Sequence, residues 1–157
     1  MAAIERKGFT LVEFTVVILI VGVLVAVAVP YFLRLESTAR RTTLYGLASS
    51  IRGAAAMANS LAVAASTGPS GAVSLDGVHY FSLVNYYPDA DSIRQAVDYG
   101  SPLTGSSELT FIPGVPAQSG TASWVLSAAT PAGCIVSYQP SQPPNTLPRV
   151  SVEDTGC

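Results

Sequence analysis

The sequence predicts an α+β fold in which one long N-terminal helix precedes an antiparallel β-sheet of four or more strands. Three observations lead to this prediction. An unbroken apolar run over residues 14–33 has the length of a helix that crosses a bilayer. Apolar residues then recur at intervals of three and four as far as residue 66, which is typical of an amphipathic helix. From residue 67 onward, short apolar runs alternate with turn residues, as in a small β-rich domain.

Length and charge narrow the function classes. The chain has 157 residues, enough for one domain, and only 11% of them are charged. Residues 34–52 contain four arginines and one acid, whereas the residues from 76 onward contain seven acids and two arginines. Because the second region has no Lys/Arg cluster that would neutralise phosphates, nucleic acid is not an expected direct partner.

The N-terminal apolar segment allows three interpretations. Residues 1–8 form a short leader in which Arg6 and Lys7 place positive charge on the side expected to stay cytoplasmic. A cleaved secretory signal would need a small-residue cut site after the apolar run, and none is evident. A plain membrane anchor would leave Glu13 unexplained, since a carboxylate beside a membrane span is costly. The third interpretation places processing before the run, at the Gly8–Phe9 bond.

The stretch Lys7-Gly8-Phe9-Thr10-Leu11-Val12-Glu13, with the apolar helix after it, resembles the class III signal of type IV pilins and type II secretion pseudopilins. The resemblance implies that a prepilin peptidase cuts after Gly8 and methylates the new amino terminus at Phe9. It also implies that Glu13 pairs with the Phe9 amine of a neighbouring subunit during assembly on an inner-membrane platform. The alternative is that the Glu13 carboxylate merely reaches the lipid headgroups.

The helix is expected to run from residue 9 to residue 66 in two halves. Residues 9–33 would form the transmembrane or filament-core half, and residues 34–66 the half that packs on the head. Gly22 and Ala26 form a small-xxx-small pair that permits close approach of another helix, or else they simply face lipid. Pro30 removes a backbone hydrogen bond, so we expect a kink or local melting there and treat it as a candidate hinge. Gly68 is expected to cap the helix end.

The head is expected over residues 67–157. Val73–Tyr80 is typical of a hairpin with Asp76-Gly77 as its turn. Residues 91–100 are typical of a short helix with Asp91 as its N-cap. Four further strands are predicted at Leu109–Ile112, Ser123–Leu126, Cys134–Tyr138 and Val150–Val152.

Cys134 and Cys157 are the only cysteines, and they predict one disulfide formed outside the cytoplasm, which bounds a region over residues 134–157. No metal site or other cofactor is predicted. His79 lacks a partner at the level of sequence, and Asp89 and Asp91 suit helix capping better than calcium binding. No catalytic motif is recognisable, so we do not expect an enzyme.

The head segments Arg52–Ala58, Leu75-Asp76-Gly77, Tyr87-Pro88 and the two cysteine regions resemble pilins of the mannose-sensitive haemagglutinin type. These resemblances imply a structural subunit of a type IV pilus-like filament that serves adhesion or a related function. The subunit would start in the inner membrane and then enter a homo-oligomeric surface filament with other pilins. Two alternatives stay open: a periplasmic pseudopilin of a type II secretion system, and a membrane-anchored adhesive or ligand-binding domain that does not assemble.

Overall fold

One helix, α1, runs from Leu11 to Ala64 and confirms the long helix expected from the sequence. The structure, a computed structural model, describes residues 10–74, 76–97, 109–126, 133–142 and 146–157, and at residues 33 and 34 the backbone alone. The chain divides into two units, Met1–Thr38 and Ala39–Cys157, and α1 contributes residues to both. By length and composition, α1 is the one helix among the described residues that is apolar enough to cross a membrane.

Pro30 lies inside α1, and the helical assignment continues through it. The local melting expected before this proline is therefore not present in the isolated chain. The helix tolerates the proline even though the ring removes one backbone donor. A hinge role for Pro30 stays a prediction for the assembled state.

The C-terminal end of α1 is closed by Ser66 rather than by the expected Gly68. The Thr67 N–H donates to the Ala62 carbonyl at 2.9 Å, and the Ser66 N–H donates to the Val63 carbonyl at 3.1 Å. This pair of bonds is a Schellman motif, which places Ser66 at the position that requires a left-handed backbone. Ser66 has φ 52°, so a side chain occupies a conformation that glycine adopts more easily.

We expect Ser66→Gly to stabilise the head by about 0.5–1 kcal/mol, because glycine relieves the left-handed strain at a partly offsetting entropic cost. The measurement is the thermal midpoint of the full chain in detergent micelles, where a rise of roughly 2–4 °C is expected. Ala64→Gly is the matched control, because glycine inside the last helical turn should destabilise the protein instead. A lower midpoint for Ser66→Gly would contradict this explanation of the cap.

The strands form two antiparallel sheets. One has three strands in the order β1-β2-β3, and the other has four strands in the order β4-β5-β6-β7. In chain order the elements after α1 are β1 (Ala72–Ser74), β2 (Tyr80–Val84), β3 (Tyr87–Pro88), α2 (Ile93–Val97), β4 (Leu109–Ile112), β5 (Ala122–Leu126), β6 (Ile135–Gln139) and β7 (Arg149–Glu153). The four strands predicted after residue 100 are confirmed within one residue at each end, whereas β2 runs four residues beyond the predicted hairpin. The single predicted sheet is two sheets.

The four-stranded sheet packs on the apolar face of α1, as expected. Leu44, Leu47 and Ile51 from the helix are buried against Trp124 and Val136 from the sheet. The predicted periodicity holds as far as Ala62, because its buried positions recur at intervals of three and four. Ala65, also predicted on this face, is exposed, since the helix ends one residue earlier.

β3 is the element that the sequence did not predict, since its two residues carry no periodic signal. Asn85 and Tyr86 form the two-residue turn that leads into it, and both have positive φ angles, 52° and 70°. Pro88 is tolerated because β3 is an edge strand. The Tyr138 hydroxyl of β6 donates to the Pro88 carbonyl at 2.7 Å and so links the two sheets. Burial raises the pKa of the Tyr138 phenol above its ordinary value.

The predicted hairpin is confirmed by the β1–β2 pairing, in which Ser74 lies opposite Tyr80. The loop between them is organised by Asp76. Its Oδ1 accepts the backbone N–H groups of Val78 (2.9 Å) and His79 (2.7 Å), and its Oδ2 lies 2.5 Å from His79 Nδ1. Gly77 has φ 76°, the left-handed conformation that this loop requires. His79 therefore has a partner, one that the sequence did not reveal.

The His79 side chain and then the backbone N–H groups of His79 and Val78 hold the pKa of Asp76 well below its ordinary value. The stabilisation from a carboxyl with a lowered pKa is fully present above about pH 3.9 and is lost as the pH falls through the lower folded value. We expect His79→Ala to raise the Asp76 midpoint in a carboxyl carbon NMR titration. An unchanged midpoint would show that the ring contributes nothing.

The short helix α2 is capped by Asp89 and not by Asp91. Asp89 Oδ1 accepts the N–H groups of Asp91 at 3.1 Å and Ser92 at 2.6 Å. The Asp89 carbonyl accepts the Ile93 N–H at 3.0 Å. The capping role predicted for Asp89 is confirmed, whereas the N-cap predicted at Asp91 lies two residues too late, because an aspartate at either site fits the sequence pattern.

Candidate functional site

The candidate site lies at the start of α1, where Glu13 is in the first helical turn. Thr10 precedes the helix and acts as its N-cap. The Glu13 N–H donates to Thr10 Oγ1 at 3.2 Å, and the Phe14 N–H donates to the Thr10 carbonyl, also at 3.2 Å. Thr10-Leu11-Val12-Glu13 thus has the Thr-x-x-Glu spacing of a capping box, in which each end residue can satisfy a backbone donor of the other.

The capping role of Thr10 was not predicted, although the Thr-x-x-Glu spacing is visible in the sequence. The cap fixes where the helix begins, and this in turn fixes where Glu13 stands. A carboxylate in the first turn faces the positive end of the helix dipole, worth about 0.3–1 kcal/mol at an exposed position. Glu13 is exposed in the isolated chain. Its charge is therefore placed at the one end of this apolar helix where a negative charge is favoured.

We expect Thr10→Val to loosen the first turn by about 1 kcal/mol, because valine cannot accept the Glu13 N–H. Amide hydrogen exchange at Glu13, measured by NMR on the processed chain in micelles, should become roughly fivefold faster. Thr10→Ser retains the oxygen and is the matched control. Equal exchange rates in the valine and serine variants would contradict the capping role.

The apolar run that follows Glu13 is exposed all round. Every described side chain from Leu11 to Phe32 is exposed, so the described residues of the chain do not cover this surface. A helix that is apolar on all sides is stable only inside lipid or among other helices. Exposed Phe14, Ile18 and Leu19 would each lose contact with water on such burial, at about 25 cal/mol per Å² of apolar area.

Gly22 lies within this exposed surface, and a side chain added there would meet no atom within 4 Å. No described residue of the chain thus requires glycine at this position. Close packing of another helix at Gly22 and Ala26 stays a prediction. Gly8 and Phe9, the predicted cleavage and methylation residues, lie outside the described residues.

The predicted disulfide is confirmed. The sulfur atoms of Cys134 and Cys157 are bonded at 2.03 Å, and the two residues are 23 positions apart in the sequence. The Gly156 N–H donates to the Gly133 carbonyl at 3.0 Å and closes the same loop beside the bond. The C-terminal segment is therefore fixed to the start of β6.

A search of the described residues finds no group of three or more His, Cys, Asp or Glu side chains that could hold a metal ion. Asp89 is engaged as a helix cap, and His79 lies against Asp76 in the hairpin loop. In this part of the chain, the chemistry of the site consists of one carboxylate, one helix terminus and a large apolar surface.

Comparison with known proteins agrees with this site. Residues 5–29 match the family model of the prokaryotic N-terminal methylation motif. The chain is similar to the type IV narrow pilus major component PilA5 of Thermus thermophilus, with 44% identity over 54 residues. The match covers 34% of this chain and 47% of that protein, so the chain matches about half the length of this curated relative. No solved structure matches the chain.

The motif and the exposed apolar helix are together typical of proteins whose N-terminal segment is methylated. Together with the relative and the α+β fold, which ends in a disulfide, they support the type IV pilin family for this chain. The motif match therefore confirms the resemblance stated for Lys7–Glu13, and the long helix and antiparallel strands confirm the predicted α+β fold.

Proposed function

We propose that the chain is the precursor of a subunit of a type IV pilus-like filament. The observation that carries the proposal is the methylation motif over residues 5–29, most of which is an apolar helix that the described residues of the chain leave exposed. The motif would direct cleavage and methylation of the precursor. The exposed apolar surface of α1 would pack against other copies in the filament. Adhesion is the function we favour for the filament.

Processing is the first step of the proposed function. A prepilin peptidase would cut between Gly8 and Phe9 and methylate the new amine. The cut removes Arg6 and Lys7, the cationic residues before the span, and leaves an amine one residue before the Thr10 cap. A positive amine then stands near the first turn that contains Glu13.

Charge pairing is the second step. When the helix leaves lipid and enters a filament core, Glu13 and the Phe9 amine both become buried in apolar surroundings. An unpaired buried charge is costly, whereas a paired one is tolerable. Pairing of Glu13 with the amine of a neighbouring copy would therefore fix the axial register of the subunits. Pro30 would absorb any change in helix direction during this transfer.

The proposed locations follow from these steps. The precursor would lie in the inner membrane with its head outside the cytoplasm, where the Cys134–Cys157 bond forms. The mature subunit would lie in a surface filament, assembled on an inner-membrane platform with other pilins.

The test is to shear surface fibres from cells that express the chain and to probe them with an antibody against the head. Fibres that carry the protein, and that disappear when its gene is deleted, are the expected result. If deletion leaves the fibres intact but stops protein secretion, the chain is a pseudopilin. If the protein remains wholly in the membrane and neither process changes, it is an anchored domain that does not assemble.

A further inference from the structure

The hairpin tip, Asp76 to Tyr80, presents apolar side chains to solvent on a rigid loop. Val78 is 73% exposed and Tyr80 is 62% exposed. Besides the contacts already described, the Ser74 hydroxyl donates a hydrogen bond to Asp76 Oδ1 at 3.1 Å and accepts one from the Gly77 N–H at 2.8 Å. An exposed valine and tyrosine on a loop held this firmly can be buried by a partner at little further cost in conformational entropy.

A separate apolar groove lies between α1 and the segment that enters β7. Its cavity volume is about 350 Å³. The floor includes Ala55 and Ala56 of α1, whose small side chains leave the space, together with Tyr87 of β3. Leu147 lies on its rim and is 79% exposed.

A cationic side chain lines the groove, and the tip contains a carboxylate. Arg52 lines the groove and donates from Nη2 to the Val150 carbonyl at 3.3 Å, which holds its guanidinium at the wall. Arg149 is exposed beside Val150. Asp76 supplies the carboxylate of the tip, and His79 of the same tip lies 2.5 Å from its Oδ2. Tyrosine is a side chain enriched in buried interface cores. The tip and the groove are therefore complementary, since one has a carboxylate and the other an arginine, each beside apolar side chains.

One copy cannot bring its own tip to its own groove without losing its fold. The tip joins β2 at Tyr80, whereas Tyr87 of the groove pairs with Val84 at the other end of that strand. Four residues of strand separate these ends by about 13 Å. The tip and the groove share no residue, so a contact between them joins different patches of two molecules.

We propose that the hairpin tip of one copy docks in the α1–β7 groove of a neighbouring copy of this chain, with Val78 and Tyr80 beside Leu147 and with Asp76 facing Arg52. The inference rests on the proposed function as a filament subunit. A contact between two different patches is heterologous, and such contacts repeat without closing when the rotation between copies does not close a ring. The head contact would thus extend the same filament as the helices.

The test introduces one cysteine on each side, Val78→Cys with Leu147→Cys in the same full-length chain. Fibres are sheared, oxidised with a mild copper catalyst and run on a non-reducing gel. Because each copy has one tip and one groove, the expected result is a ladder of dimers, trimers and longer species. The two cysteines can bond only if their Cβ atoms come within about 4.5 Å.

The matched control pairs Val115→Cys with Leu147→Cys, since Val115 is 86% exposed and lies outside the tip. Each single variant is also run, and none should give a ladder. Fibres of the Val78/Leu147 variant that give no more crosslinking than the Val115 control would overturn the head contact and leave the proposed function intact. Absence of wild-type fibres would overturn both.

A second pair of variants tests the contact without introducing cysteines. Leu147→Asp should reduce the fibre yield about tenfold, which corresponds to about 1.4 kcal/mol. Val115→Asp should leave it unchanged. Both positions are exposed, so the head should fold in either variant, and near-ultraviolet circular dichroism of Trp124 checks this. Equal yields for the two variants would contradict the proposal.

Discussion

Replacing Glu13 with Ala should leave the protein in the membrane and remove it almost completely from filaments. Without the carboxylate, the Phe9 amine would enter the apolar filament core unpaired. Breaking a buried ion pair by removing one partner costs about 3–5 kcal/mol, which lowers the association constant of each subunit by roughly 10²–10⁴. The measurement is the ratio of protein in sheared fibres to protein in membranes, by immunoblot.

Glu13→Gln keeps the size and polarity of the side chain and removes only the charge, so it should fail as Ala does. Glu153→Ala is the matched control, because Glu153 is an exposed carboxylate on β7 of the head. It should assemble normally. Wild-type amounts of fibre from Glu13→Gln would show that the charge has no role in assembly, and Glu13 would then be a capping residue of α1 alone.

Removing the disulfide by Cys134→Ser and Cys157→Ser together should lower the stability of the head by about 3.5 kcal/mol. The estimate follows from closing a loop of about 24 residues in the chain-entropy model. For a unit of this size, the thermal midpoint should fall by roughly 10–20 °C. The signal of Trp124, the only tryptophan, reports the unfolding because this side chain is buried in the head core.

The control for the disulfide is the wild-type chain treated with a reducing agent, which should reproduce the midpoint of the double serine variant. Assembly at low temperature should persist in both, because the bond lies far along the chain from the helix start. A midpoint within about 2 °C of the oxidised wild type would contradict a stabilising role for the bond.

Local patterns predicted most of the fold because local physics determines those elements. The α1 face at Leu44, Leu47 and Ile51 was visible as periodicity, and β4 was predicted with its observed bounds. The division into two sheets was not predictable in the same way. It depends on the turn before β3 at Asn85-Tyr86. It also depends on a hydrogen bond from the Tyr138 hydroxyl to the Pro88 carbonyl, which lie 50 positions apart in the sequence.

Cap positions show where sequence patterns become ambiguous. Gly68 and Ser66 both follow α1, and glycine is the usual choice, yet the hydrogen bonds of the helix end fall on Ser66. Asp89 and Asp91 are equally suitable caps by sequence, and it is Asp89 whose Oδ1 accepts the Ser92 N–H. In each case, backbone geometry one or two residues away determines the result.

The candidate site was predicted from a motif, because its chemistry is encoded in seven consecutive residues. The geometry of the site also shows Thr10 as the N-cap of α1, a role that was not predicted although Thr10 lies within the motif. The hairpin tip and the groove were not predictable, since Leu147 and Tyr87 come together only through the fold.

The central claim is that processing before the apolar helix creates the partner of Glu13. Mass spectrometry of the protein recovered from membranes and sheared fibres tests it most directly. We expect an N-terminal peptide that begins at Phe9 and carries one added methyl group. A mature protein that still begins at Met1 would contradict the account, because no amine would then stand at the start of α1.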